Sequence, residues 1–253
     1  MPVLDRFRLD GKVAVITGAS SGLGAAFAVG LAEAGADVAI CARRTDRLQQ
    51  TKANVEQLGR RCIAITADVA QPEDCANVAA QTVQELGRLD ILVNNAGVGT
   101  AVPASRETPE QFRQVIDVNL NGSYWMAQAC AKAMEPGSSI VNIGSVLGST
   151  TAGLPQAAYS ASKAAIIGLT RDLASQWTGR KGIRVNALAP GFFPSEMTEQ
   201  YPPGYLEQAM QRVPAGRAGE LEELTAALLF LASDASSYVT GALLPVDGGM
   251  LVT

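Results

Sequence analysis

A doubly wound α/β fold, with a parallel sheet of about seven strands and helices on both faces, is predicted by three observations. Short apolar, β-branched runs alternate with helical stretches of roughly ten to fifteen residues, which is the pattern of βαβ units. The runs lack polar alternation, as expected of strands covered on both faces. Gly18, Asp68, Asn95 and Ser145 each stand just after such a run. Right-handed crossovers would bring all four to the carboxyl edge of the sheet, where ligands bind in open α/β folds.

The first strand is Val13 to Thr17, and Thr17-Gly-Ala-Ser-Ser-Gly-Leu-Gly24 leads from it into a helical stretch, Ala25 to Ala34. A glycine-rich turn at a helix start leaves backbone N–H groups and the positive end of the dipole facing outward, which suits phosphate. Gly18, Ser20, Ser21, Gly22, Leu23 and Gly24 are therefore candidate cofactor contacts. Their spacing, Gly-x-x-x-Gly-x-Gly, departs from the commoner G-x-G-x-x-G.

Asp37 to Cys41 is the second strand, Arg44 to Leu58 a helix ended by Gly59, and Cys62 to Thr66 the third strand. Sites selective for NAD place an acid about 20 residues beyond the glycine turn to bind the ribose hydroxyls. This chain has Arg43 and Arg44 there, while Asp37 opens its strand and cannot replace the acid. Arginines 43, 44 and 47 at a helix start oppose its dipole, a conflict that an anion would relieve. The adenosine 2′-phosphate is such an anion, with Arg43 the first choice to bind it and Arg44 the second, so NADP(H) is the expected cofactor.

Asp68-Val69 precedes a helix from Pro72 to Leu86, and the fourth strand, Leu89 to Val93, runs into Asn94-Asn-Ala-Gly97. Ser139 to Gly144 is the fifth strand, ended by Ser145. Tyr159-x-x-x-Lys163 then puts a phenol and an ammonium on one face of a helix. The cation favours the phenolate, which makes Tyr159 a candidate general acid or base, with Ser145 able to hold the oxygen that it protonates. A sixth strand, Ile183 to Ala189, ends at Pro190-Gly191.

Composition removes other classes. The 253 residues are 47% hydrophobic and 17% charged, enough for one large domain, 1–253. A net charge of −4 speaks against a nucleic-acid surface. The longest aliphatic stretch, Ala226 to Ala232, is too short for a bilayer, and the first twelve residues lack the apolar core of a signal peptide, so a cytoplasmic protein is expected. The chain has no histidine, which excludes a Ser-His-Asp triad and a His-ligated metal. Its four cysteines form no CxxC pair, and no metal site or disulfide is expected.

Thr17-Gly-x-x-x-Gly-x-Gly24, Asn94-Asn-Ala-Gly97, Asn119, Ser145, Tyr159-x-x-x-Lys163 and Pro190-Gly191 resemble, in order and spacing, the motifs of the short-chain dehydrogenase/reductase family. The likeness runs from Lys12 to Val246-Asp-Gly-Gly249. It implies a Rossmann-type domain that transfers hydride between a nicotinamide cofactor and a carbonyl or alcohol carbon. In it Tyr159 would be the proton donor, Ser145 would position the substrate oxygen, Lys163 would tune Tyr159 and hold the nicotinamide ribose, and Asn119 would hold a water of the proton relay. Asp68, Val69, Asn95, Ala96 and Gly97 would line the adenosine, and Pro190, Gly191, Phe193 and Ser195 the nicotinamide. Ser195 stands where the family often has threonine, and Pro194 before it removes a backbone donor.

The stretch from Phe192 to Pro214 resembles the family's substrate lid and carries Phe192, Phe193, Tyr201 and Tyr205. An aromatic lid would exclude water and favour a hydrophobic ketone or aldehyde. The resemblance also implies a homo-oligomer, a tetramer, and two segments ask for one. Gln156 to Trp177 and Phe112 to Met134 are apolar around more of their circumference than one sheet face covers. An NADPH-dependent carbonyl reductase is the first reading. Beside it stand a 3-oxoacyl thioester reductase, disfavoured because Glu135-Pro-Gly-Ser-Ser139 is not basic, and an NAD-dependent alcohol or sugar dehydrogenase. A non-catalytic cofactor-binding protein would show a broken polar set, and here Asn119, Ser145, Tyr159 and Lys163 are all present.

Overall fold

The computed structural model describes residues 2–194 and 204–252. Seven strands form one parallel sheet: β1 Val13–Thr17, β2 Asp37–Ala42, β3 Cys62–Thr66, β4 Ile91–Asn94, β5 Ser139–Ile143, β6 Arg184–Pro190 and β7 Leu243–Val246. Their spatial order is β3-β2-β1-β4-β5-β6-β7. The order reverses between β1 and β4, which opens a crevice outside the carboxyl ends of those two strands.

Side chains alternate across the strands and build two cores. Ala14 and Ile16 of β1 pack on one face with Phe27 and Leu31 of α1 (Gly22–Glu33), Leu48 and Val55 of α2 (Thr45–Gln57), and Leu224, Leu228 and Leu231 of a late helix, Leu221–Ala232. Val13 and Val15 face the other way, toward Val78 of α3 (Pro72–Leu86), Met126 and Leu173. Both faces being covered is why the strands read as unbroken apolar runs.

Between β4 and β5 the chain forms α4 (Pro109–Ile116), a π turn (Asp117–Asn121) and α5 (Gly122–Cys130). Thr108 and Gln111 close a capping box at the start of α4. In the π turn the Gly122 N–H bonds Asp117 O, five residues back, so the ladder steps out of α register around Asn119. The long helix α6 (Ala157–Lys181) follows β5 and ends at Gly182 in the left-handed conformation. After β6 come α7 (Tyr205–Met210) and α8 (Leu221–Ala232).

Among the boundaries that differ from the expected ones are the starts of α1 and β4. Helix α1 begins at Gly22, about one turn before Ala25, so the last two glycines of the turn belong to the helix itself. Strand β4 begins at Ile91 instead of Leu89. The Asp90 carboxylate accepts the Val13 N–H at 3.0 Å and pairs with Arg88 at 2.6 Å, while the Asp90 N–H bonds Val13 O at 2.9 Å, so a side-chain clamp adds to the backbone bonds just before the strand. No helix among the described residues is long and apolar enough to cross a membrane.

Candidate active site

A cleft of about 510 Å³ runs along the carboxyl edge of the sheet. It is lined by the glycine turn, by Arg43 and Arg44 after β2, by Asp68 and Val69 after β3, and by Asn95, Ala96 and Gly97 after β4. Ser145, Tyr159, Lys163, Pro190, Gly191 and Phe193 line it too. The motifs separated in sequence therefore meet on one edge, because parallel strands point all their carboxyl ends the same way.

The glycine turn is a cradle that side chains would fill. Gly18 has φ +66°, and a Cβ on it would stand 2.8 Å from Ala96 Cα. A Cβ on Gly24 would collide with the Gly18 carbonyl. The turn is also tied down from β4. The Asn95 side-chain amide donates to Thr17 O at 2.9 Å and to Gly18 O at 3.3 Å, while Thr17 Oγ1 accepts the N–H groups of Asn95 and Ala96 at 3.0 and 2.9 Å. Asn95 thus reaches the cleft as a brace of the turn. Thr17 opens the quoted motif, but the sequence reading gave it no role; its signal was a lone hydroxyl closing a buried apolar run.

Arg44 leaves the end of β2 in extended conformation and turns its guanidinium onto the same turn. Nη2 donates to Ser20 Oγ at 3.0 Å and to Ser21 Oγ at 2.7 Å. Arg43, also exposed, lines the cleft beside it. Asp68 folds into a turn of its own, with Oδ1 accepting the Ala70 N–H at 3.1 Å; it does not cap α3, whose N-cap is Gln71.

Around α6 the polar groups interlock. Tyr159 and Lys163 are 9% and 5% exposed. Lys163 Nζ lies 5.6 Å from the centroid of the Tyr159 ring and donates to Ile143 O at 2.8 Å, which anchors the ammonium to the end of β5. Burial pulls the lysine down from 10.5 to about 8, since no carboxylate accompanies it. Ser145 is 8% exposed and its Oγ accepts the Leu147 N–H at 3.1 Å, leaving the hydroxyl proton available in the cleft.

The Asn119 amide is engaged at both ends. Its Oδ1 accepts the Val98 N–H at 2.8 Å, and its Nδ2 donates to Val98 O at 2.9 Å and to Ser162 Oγ at 3.0 Å. Ser162 in turn donates to Tyr159 O at 2.7 Å. Asn119 therefore joins the loop after β4 to the helix turn that presents Tyr159. Ser162, fully buried between them, was also missed in the sequence, where it reads as one more small residue of an alanine-rich helix.

At the far end, Gly191 N–H bonds Val246 O at 2.9 Å, and a Cβ on Gly191 would stand 2.8 Å from Asp247 Cα. Phe193 is 5% exposed, and Gly219 leaves room for its ring. Phe192 meets Tyr205 edge-on at 6.2 Å, and the Tyr205 hydroxyl donates to Ala152 O at 2.7 Å, so α7 lies against the loop that precedes α6. Ser195 and Tyr201 lie outside the described residues. The four cysteines are buried, and burial pushes the thiols of Cys41, Cys62 and Cys75 up to about 12.

Residues 18–251 match the family model described as enoyl-(acyl carrier protein) reductase. The chain is 41% identical over 248 residues to the 3-oxoacyl-acyl-carrier-protein reductase of Thermotoga maritima, spanning 97% of this chain and 100% of that one. The crystal structure of a short-chain type dehydrogenase/reductase from Mycobacterium marinum superimposes with a TM-score of 0.95 at 37% identity, covering 100% of both chains. A gluconate 5-dehydrogenase from Burkholderia cenocepacia, solved with NADP and tartrate, does so at 0.93 and 36% identity, again over 100% of both. The chain belongs to the short-chain dehydrogenase/reductase family, oxidoreductases that interconvert carbonyl and alcohol groups with a nicotinamide cofactor.

Proposed function

We propose that this protein is an NADPH-dependent carbonyl reductase in which Tyr159 gives the proton to the carbonyl oxygen. The observation that carries the cofactor choice is Arg44, held 2.7 Å from Ser21 and 3.0 Å from Ser20 at the rim of the glycine turn, with no acid at the end of β2. Those three donors, with Arg43 beside them, make a pocket for the 2′-phosphate that would repel no negative charge. The NADP-bound relative from Burkholderia cenocepacia supports the same choice.

The residues fit the cofactor. Gly18 to Gly24 would cradle its pyrophosphate, Asp68 and Val69 its adenine, Lys163 its nicotinamide ribose, and Gly191, Phe193 and Ser195 its carboxamide end. When bound, the group supplies the hydride for the carbonyl carbon. The chain supplies the rest. The Ser145 hydroxyl holds the carbonyl oxygen, the Tyr159 phenol stands ready to protonate it, and the buried Lys163 ammonium stabilises the phenolate left behind. Asn119, through Ser162, keeps that turn of α6 in place and is our candidate for the water-holding residue of the relay. We assign the segment 192–214, of which 195–203 lie outside the described residues, as the substrate lid of a single domain.

The relatives leave a 3-oxoacyl thioester and a sugar acid as the substrate classes to weigh. We also read the protein as a cytoplasmic homotetramer, because Phe112 is exposed and Tyr124, Trp125, Ile167 and Leu169 stay half-buried on α4, α5 and α6. A monomer of 26.3 kDa by light scattering would overturn that assignment. For the activity itself, Tyr159→Phe should lower kcat by at least about 100-fold while NADPH binding, followed by cofactor fluorescence, stays near wild type. Near wild-type turnover in the variant, or an equal kcat/KM with NADH, would refute the reading.

A further inference from the structure

The half of the cleft around Tyr159 has an unusual charge balance. Val98, Val146, Leu147 and Phe192 line it, and Val213 and Met250 pack behind them in one apolar cluster with Tyr159. Val146, Leu147, Val213 and Met250 are 2%, 8%, 5% and 2% exposed, so these side chains are fixed in place and not a mobile fringe. Met250 is delivered by the last turn of the chain, which the Asp247 carboxylate pins by accepting the Gly249 and Leu251 N–H groups at 3.0 and 2.9 Å.

Among the described residues lining the cleft only Arg43, Arg44, Asp68 and Lys163 are charged. Arg43 and Arg44 follow β2, whereas Ser145 follows β5, and β1 and β4 lie between them. Three inter-strand steps of ~4.8 Å separate the ends of β2 and β5 by roughly 14 Å, and the Arg44 guanidinium is held at Ser20 and Ser21, after β1. Lys163 is committed to Ile143 O and to Tyr159. The arginines nearest the lid are engaged as well: Arg212 donates to Thr151 O at 3.2 Å, and Arg217 forms a two-pronged pair with Glu223 at 2.8 and 2.6 Å. Residues 195–203, outside the described structure, contain Glu196 and Glu199 and neither lysine nor arginine, so whatever their conformation they bring no cation.

We infer that the substrate is an uncharged carbonyl compound with an apolar body, and that a carboxylate a few bonds from the reacting carbon is rejected. This rests on the reductase reading above. A carboxylate seated in this half would lose its water and find no cation, and an unpaired buried charge is among the costliest groups a site can hold. An alkyl or aryl group in the same place exchanges water for Val98, Leu147 and Phe192. Rejection through an unsatisfied polar group discriminates far more strongly than a misfit of one methylene.

The test is a matched series with the purified full chain and NADPH at pH 7: 3-oxobutanoate, its ethyl ester and ethyl 3-oxohexanoate. The ethyl ester should exceed the free acid in kcat/KM by at least about 100-fold. The longer ester should gain about threefold or more per added methylene. Val98→Lys, at a half-buried position on the wall, should move the ester-to-acid ratio toward the acid. An acid turned over within about tenfold of its ester would overturn the inference while leaving the reductase reading intact. If NADPH is oxidised by none of the three, the reductase reading falls. Ligand-observed NMR of ethyl 3-hydroxybutanoate against 3-hydroxybutanoate then decides the pocket chemistry alone, with equal binding of the two refuting it.

Discussion

Lys163→Met should make the protein inactive and, near neutral pH, no less stable, with a stability difference that depends on pH in a defined direction. The ammonium is 5% exposed, and burial lowers its pKa from 10.5 to about 8. At roughly 1.4 kcal/mol per factor of ten, that gap corresponds to about 3 kcal/mol of folding free energy spent on keeping the charge inside. Below pH 8 lysine is protonated in both states, so the folded wild type carries the whole cost. Between about 8 and 10.5 the folded protein has released the proton and the unfolded chain has not. The unfolded state then binds more protons, and wild-type stability rises with pH through this window.

Methionine removes the cost and also orphans Ile143 O, which loses its 2.8 Å donor at a penalty of about 1–3 kcal/mol. The two terms nearly cancel at pH 7, where the variant should lie between equal stability and about 2 kcal/mol more stable than wild type. The orphaned carbonyl does not titrate, so the pH dependence isolates the charge. Urea denaturation of both proteins from pH 7 to 10.5 should show the wild type gaining about 3 kcal/mol relative to the variant. A difference independent of pH would mean that Lys163 is not buried as a lone cation. An ammonium that costs stability would be retained for the chemistry proposed for it, which is the usual trade at an active site.

Other perturbations follow from the same contacts. Gly191→Ala drives a Cβ to 2.8 Å from Asp247 Cα, and should cost about 1–3 kcal/mol in urea denaturation and raise the KM for NADPH; an unchanged KM would separate this turn from the cofactor site. Asn95→Ala strips the donors from Thr17 O and Gly18 O, so calorimetry should show cofactor binding weakened by roughly tenfold or more, and unaltered affinity would mean that the glycine turn holds its shape unaided. Leu92→Ala empties a fully buried position of β4 and should lose about 2–5 kcal/mol of stability with kcat little changed, measured by denaturation and initial rates.

What the sequence determined by itself was whatever depends on neighbours along the chain. Val13 to Thr17 and Cys62 to Thr66 are β-branched and apolar enough to be strands without help, and both occupy the expected residues. Pro72 and Gly87 bracket α3 through their own backbone preferences, fixed φ at the start and a left-handed turn at the end. Tyr159 and Lys163 share a face because a helix has 3.6 residues per turn, and the glycine turn is legible because only residues without a Cβ let the β4 loop come so close.

Tertiary structure decided what depends on groups far apart in sequence. The sequence could rank Arg43 and Arg44 but could not show that Arg44 lies over Ser20 and Ser21, since that follows from β2 lying beside β1. Asn95 carries a motif, yet its role as a brace exists only once β4 brings it to Thr17. The π turn at Asn119 leaves no local signature, because one shifted hydrogen bond is chosen by the side-chain contacts to Val98 and Ser162. The apolar cluster beside the cleft joins residues 98, 146, 213 and 250, and the lysine is lowered by burial alone. Burial and the charge balance of a cleft are sums over everything that surrounds a point, and a chain read in order does not contain that sum.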